Sequence, residues 1–226
     1  MSIPAGLSPP SSGTELPAAR PLFAEDLEDL CKIDEALVRK QLEDRPTGSK
    51  TAVALVPDVA TMRWFHARED FVGKELHGKT PKVKGAIVGE DGHRVWMYWG
   101  RMWYNHDPEE SKGNTLYILR VVEEEGSNGE GPDAQHVNGT STGRHDAAIA
   151  SLLLLAQREA REWGMEEVQA WNPKPSTLSA FRMVRPDVEV VNRDKESITS
   201  LKWYPEHEGR APDFIDWVDN EKYGWN

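Results

Sequence analysis

Hydrophobic positions recur along the chain with two spacings, one near 3.6 residues and one of 2. In LFAEDLEDLCKIDEALVRKQLE (22–43), apolar side chains at Leu27, Leu30, Ile33, Leu37 and Val38 form the stripe of an amphipathic helix. TAVALVP (51–57) reads as a short strand ended by Pro57. Asp58 then caps a helix to about Leu76, and Gly78 stops it. Strand signals follow: VKGAIVG (83–89), the turn EDGH, RVWMYWGRMWY (94–104), the loop NHDPEESKGN and TLYILRVVEE (115–124) predict a three-stranded antiparallel meander. Helical spacing returns from about Asp146 to Trp163, with Ile149, Leu152, Leu153, Ala156, Ala160 and Trp163 on one stripe and Gly164 as the stop. EEVQAWNP predicts a strand and Ser176 the cap of a short helix to about Val184. VEVVNRDKESITSLKWY predicts one or two more strands, and DFIDWVDNEKYGWN closes the chain. This order predicts an α/β (α+β) domain with a mixed, mostly antiparallel sheet flanked by helices.

Within RVWMYWGRMWY, alternation sends Val95, Met97, Trp99, Arg101 and Trp103 to one face and Arg94, Trp96, Tyr98, Gly100, Met102 and Tyr104 to the other. Both faces are large, which predicts a central strand covered by helices on both sides. Residues 1–20 are rich in Pro, Ser, Ala and Gly and are expected to form a disordered tail, the domain occupying 21–226. The low-complexity segment EEGSNGEGPDAQHVNGTSTGR makes a mobile loop the expectation at about 125–143.

Composition narrows the function. Hydrophobic residues are 38% of 226 and charged residues 29%, the polar segments accounting for the low apolar share. A net charge of −11 argues against nucleic acid, because an aromatic platform for bases needs a basic groove beside it. No apolar run approaches a membrane span, and the N-terminus lacks the basic and apolar parts of a secretory signal. The single cysteine, Cys31, excludes an intrachain disulfide and fits a reducing, cytoplasmic setting.

The chemistry-bearing candidates are arginines on apolar faces. Arg101, among Met97, Trp99 and Trp103, needs a partner if buried: an internal carboxylate, an indole face or an anionic ligand. Arg68 falls near the middle of a helical arc through Ala60, Trp64, Phe65, Ala67, Phe71, Val72 and Leu76, with Glu75 two turns on. Arg120 shares a strand face with Leu116, Ile118 and Val122. Each is read either as half of a structural ion pair or as a ligand group. His66 falls outside the arc and reads as a surface or interface residue. No His, Cys, Asp and Glu set has metal-ligand spacing, and no Gly-x-Ser-x-Gly elbow or Walker loop occurs, so no metal is expected and no catalytic residue is assigned.

The element order resembles the Gcn5-related N-acetyltransferase fold. The consecutive blocks ATMRWFHAREDFVGKELHGKTPKVKGAIVG, RVWMYWGRMWY, GNTLYILRVVEEE, WGMEEVQAWNP, RDKESITSLKWY and WVDNEKYGW resemble the C-terminal half of the fungal lysine N-acetyltransferases, from about Arg20 to Asn226. The resemblance implies acetyl transfer from acetyl-CoA to a lysine amine, with an N-terminal acetyltransferase half as partner. A non-catalytic domain that binds a small amino acid or such a partner is the alternative. The residues read above as candidates for lining a substrate are Arg68, Trp99, Arg101 and Arg120, with Arg68 and Arg101 for a carboxylate, because guanidinium pairs with carboxylate in bidentate fashion. Asn172, before Pro173, can offer its amide to a pantetheine-like chain or form a turn. Two features depart from the family. The Arg/Gln-x-x-Gly-x-Gly/Ala loop that would hold acetyl-CoA has no clear copy, since EEEGSNGEGPD is acidic and Arg144 in STGRHDAAI lacks paired glycines. Phe181 stands where acetyltransferases of this fold often place a tyrosine acid.

Overall fold

The computed structural model describes residues 1–6, 16–45, 48, 50–124, 140–188, 190–192, 204 and 210–225. Strand β5 (Val95–Met102) is buried at all of its positions, as its two large faces require. It lies inside a six-stranded sheet of order β1-β7-β6-β5-β4-β2, whose other members are β1 (Ser2–Pro4), β2 (Arg20–Leu22), β4 (Gly85–Val88), β6 (Thr115–Glu123) and β7 (Glu167–Ala170). All neighbours are antiparallel except β6 and β7. A separate parallel pair joins β3 (Thr51–Ala54) to β8 (Ile215–Val218), so the apolar run at 51–57 leaves the main sheet and meets the C-terminal segment.

Four helices cover the sheet. On one face Met97, Trp99, Leu116, Ile118 and Val121 pack with Ile149, Leu152, Leu153 and Ala156 of α3 (Thr140–Glu162) and Phe181 of α4 (Pro175–Val184). On the other, Trp96, Tyr98, Met102, Leu119 and Val122 meet Leu27, Leu30 and Cys31 of α1 (Leu27–Glu43) and Met62 and Phe65 of α2 (Val59–His77). Each large apolar side chain so covered contributes about 1.5–3 kcal/mol. The capping expectations for α2 hold: Asp58 accepts a 2.7 Å hydrogen bond from the Thr61 N–H, and Gly78 ends the helix at φ 68°. In α4 the cap is Lys174 rather than Ser176, because Pro175 takes the first helical position, where its missing N–H is not needed.

Three expectations are corrected. Residues 1–20 are not a disordered tail where they are described. Ser2–Pro4 pair antiparallel with β7, Ile3 is fully buried in the α3-side core, and Arg20–Leu22 pair with β4. A Pro-rich composition signals low burial on average, yet one isoleucine in register with a sheet edge is enough to dock a short strand. Helix α3 begins at Thr140, inside the segment expected to be a loop; residues 125–139 lie outside the described residues, as do 193–203 of the expected late strands. The buried face of α2 is Met62, Phe65, His66, Glu69 and Gly73, rotated from the arc through Trp64 and Phe71, which stay exposed.

That rotation has a backbone cause. Strand β4 pairs with β5 only as far as Tyr98. Beyond it, α2 lies along the β5 edge and its polar side chains replace the missing strand. His66 Nε2–H donates to the Trp99 carbonyl at 3.0 Å, and the Glu69 carboxylate accepts from the Arg101 N–H at 2.9 Å. Leaving those buried groups unpaired would cost about 1–3 kcal/mol each. His66 is therefore an interior residue rather than a surface one.

Candidate functional site

The parallel strands β6 and β7 pair from Thr115 with Glu167 to Ile118 with Ala170, where β7 ends. Strand β6 continues to Glu123 without that neighbour. A cleft of about 790 Å³ lies there, between α1, the end of β6, the start of α3 and the start of α4. The divergence begins at a bulge. Tyr98 faces Arg120 and Trp99 faces Ile118, which leaves Leu119 as an extra residue in β6. Leu119 and Arg120 consequently point to the same face, toward α1 and α2. Arg120 thus does not share a face with Leu116 and Ile118, because the bulge shifts the alternation by one.

Arg120 is buried under the cleft and held by three carboxylates. Its guanidinium bonds Asp34 at 2.8 and 3.1 Å and Glu221 at 2.8 Å, and meets Asp219 at 3.1 Å, with the Tyr223 ring 5.4 Å away. Burial alone would lower its pKa; Asp34 and Glu221 outweigh that and hold it well above its ordinary value. Burial pushes the Asp34 and Glu221 carboxyls up against the opposing pull of Arg120. Asp219 is held low: burial would raise it, but Arg120 and Lys174 prevail. Glu221 does one more thing: its second oxygen accepts the Val121 N–H of β6 at 2.9 Å. At the cleft's other wall, Glu123 accepts from Ser176 Oγ at 2.7 Å and pairs with His145 Nδ1 at 2.8 Å.

The remaining candidates lie elsewhere. Arg101 is fully buried on the α3 face. It bonds Glu69 at 3.1 Å, Glu159 at 2.7 Å and the Val83 carbonyl at 3.2 Å, 5.5 Å from the Trp163 ring. Two of its three expected partners, a carboxylate and an indole, are thus met inside the protein. Lys84 completes this cluster, 2.7 Å from Glu69 and 2.6 Å from Asp70. Burial raises the Glu159 carboxyl pKa against Arg101, and burial lowers that of the His66 imidazole against Glu69. Trp99 is fully buried on the same face. Arg68 is half-buried, its guanidinium against the Met102 sulfur, and among the described residues no carboxylate pairs with it. Asn172 is exposed at φ 45° where β7 turns toward α4, the geometry of its turn-forming role. The fold therefore separates Arg101 and Arg120 onto opposite faces of the sheet and does not gather the four arginine and tryptophan candidates into one pocket. Asp34, Asp219, Glu221 and Glu123 were missed, because acidic runs read as solvated surface and nothing local marks which acid turns inward. Phe181 is fully buried, with no hydroxyl at that place on α4.

The cleft can be tested against acetyl-CoA. A pyrophosphate needs free backbone N–H groups and cations without competing carboxylates. Here the chain's own carboxylates compete for such groups: Glu221 takes the Val121 N–H on the β6 edge beside Arg120, and Glu123, in the cleft wall, takes Ser176 and His145. Lys40, Arg45 and Lys174 at the walls supply positive charge, but Asp44 and Asp219 accompany them in the lining and Arg45 is paired with Asp216. Among the described residues, those that line the cleft do not fit acetyl-CoA.

The model of the family described as the LYC1 GNAT-like C-terminal domain matches residues 5–226, which includes most of the segment expected to lie outside the domain. No curated protein matches the chain. Among solved structures, the crystal structure of wild-type TTHA1254 from Thermus thermophilus is similar at 14% identity. That match covers 84% of this chain and 98% of that one, and its TM-score of 0.38 carries no structural argument. Among the described residues, no helix is long and apolar enough to cross a membrane.

Proposed function

Because this chain belongs to the family of the LYC1 GNAT-like C-terminal domain, we propose that it is the C-terminal part of a cytoplasmic lysine N-acetyltransferase, an enzyme that moves an acetyl group from acetyl-CoA to a lysine amine. In this reading the chain is not catalytic alone. The acetyl-CoA is held by an acetyltransferase half that is its partner, and this domain contributes binding surface and support. The observation that carries the reading is the Glu221 carboxylate on the Val121 N–H, at the edge of β6 that the parting of β6 and β7 would otherwise leave free for a ligand. The absence of a hydroxyl at Phe181 agrees with it. Arg68 is the group we assign to the lysine carboxylate, since Arg101 and Arg120 are neutralised internally.

Isothermal titration and a steady-state assay test this together. The isolated chain is expected to give no heat with acetyl-CoA and negligible turnover of acetyl-CoA with lysine. Turnover near the enzyme median of about 10 s⁻¹ would refute it. Lysine binding that is lost in Arg68→Met, with an unchanged melting temperature, supports the assignment of Arg68; binding that survives the substitution removes it.

A further inference from the structure

The rotation of α2 leaves an apolar stripe on its outer face. Ala60, Trp64, Ala67 and Phe71 are spaced 4, 3 and 4 residues apart, so they fall on one line along the helix. All four are exposed. Trp64 is 50% exposed and Phe71 68%, unusual values for such side chains on one helix. The Trp64 ring is not loose. It stands edge-on to the buried Phe65 ring, with centroids 5.1 Å apart and an interplanar angle of 89°. Val56, 41% exposed, extends the apolar surface beyond the helix N-terminus.

We propose that this face pairs with the same face of a second copy of the chain, α2 against α2 in antiparallel orientation about a two-fold axis. The stripe reads small, large, small, large along the helix. Reversed, it reads large, small, large, small. In the antiparallel pair Trp64 of one copy lies on Ala67 of the other, and Phe71 lies on Ala60, so every ring meets a methyl group. A parallel pair would set Trp64 on Trp64 and Phe71 on Phe71 and leave gaps at the alanines. Charge agrees with the antiparallel choice. Arg63 and Asp70 flank the stripe on the same side, and this pairing brings Arg63 of each copy within about two residues, or about 3 Å along the axis, of the level of Asp70 in the other. Among the described residues Arg63 pairs with a carboxylate only at 3.4 Å, with exposed Glu28, and Asp70, which holds Lys84 through one oxygen, is 41% exposed and has its second oxygen for Arg63 of the other copy.

The area sets the strength. Large aromatic side chains cover on the order of 150–250 Å² each. At the exposures above, the two rings leave on the order of 250 Å² per copy to bury. Over both copies the rings give on the order of 500 Å², and with the alanines, Val56 and the charged flanks the total stays below the about 1,200 Å² of stable interfaces, in the range of weak, transient pairs. The expected dimer is weak and depends on concentration.

Sedimentation velocity of the full chain from about 1 to 200 µM tests this, since a dissociation constant in that range falls inside the window. A monomer–dimer equilibrium is expected. Ala67→Glu, which places a charge at the middle of the seam on an exposed position of good helix propensity, should weaken dimerisation at least about tenfold with unchanged circular dichroism. Arg63→Asp, which sets two acids against each other at each flank, should also weaken it. A chain that stays monomeric throughout the range overturns the proposal, and so does a dimer that Ala67→Glu leaves intact. Sedimentation reads association of the chain in the absence of acetyl-CoA and lysine, and the proposed function is read from titrations of the unsubstituted chain and of Arg68→Met, so the two fail separately.

Discussion

Arg101 and His66 show how single side chains in this protein are assigned by the backbone they serve. Glu69 accepts both the N–H and the guanidinium of Arg101, while Glu159 takes the other end of the guanidinium. Removing the cation leaves two enclosed carboxylates facing each other without it, a loss of about 3–5 kcal/mol. Arg101→Met should therefore lower the melting temperature sharply, although methionine keeps much of the apolar stem. Thermal melts followed by circular dichroism check this. A variant that melts like the parent would return Arg101 to the candidates for ligand binding. The sequence marked Arg101 as needing a partner and left three kinds open. It could not choose, because Glu69 and Glu159 are 32 and 58 residues away. His66 and Glu69 look polar and hence external in a helical projection. They are internal because the β5 edge past Tyr98 has hydrogen-bonding groups to satisfy.

At the scale of elements, β1 is the sharpest departure from composition. Its three residues pair with β7 at the outer edge of the sheet, and the Met1 ammonium donates to the Ala170 carbonyl at 3.2 Å. Gln157 of α3 adds a 2.9 Å bond to the Pro4 carbonyl. Ile3→Ala should cost about 2–5 kcal/mol, the usual loss for truncating a fully buried isoleucine. Urea unfolding measures it; a disordered tail would leave the midpoint unchanged. The hairpin between β4 and β5 is anchored differently. Glu124 accepts from the Gly92 and Arg94 N–H groups and from the Arg94 side chain. Its pKa is lowered because these bonds outweigh burial. Helices and meander strands were legible because their apolar spacing is local. The bulge at Leu119 was not, since an extra residue in one strand exists only relative to the register of its neighbour.

For the molecule as a whole, the Arg120 cluster ties the first helix, the central sheet and the C-terminal segment together through Asp34, Asp219 and Glu221. Arg120→Met should cost about 3–5 kcal/mol near neutral pH. The sign of its pH dependence follows from the acids. Burial already holds Asp34 and Glu221 above their ordinary values, so their contribution to stability is complete below the unfolded pKa and is lost as pH rises through the folded one. Without Arg120 both rise further, so the deficit of the variant should be small in acid and grow as pH increases. Urea titrations of both proteins from about pH 4 to 8 check this; a deficit that shrinks with pH would contradict the assignment. The amino-acid sequence by itself determined the central strand with its two aromatic faces, the meander, the four helices and the family, because these rest on local periodicity and on ordered blocks of residues. Only the tertiary structure decided that Ile3 docks, that α2 turns His66 and Glu69 inward, that the chain's own Glu221 takes the Val121 N–H of β6, and that Glu123 lines the cleft beside it. Each of those outcomes depends on satisfying a buried backbone group or charge with a partner far away in the chain, and no local spacing records such a partner.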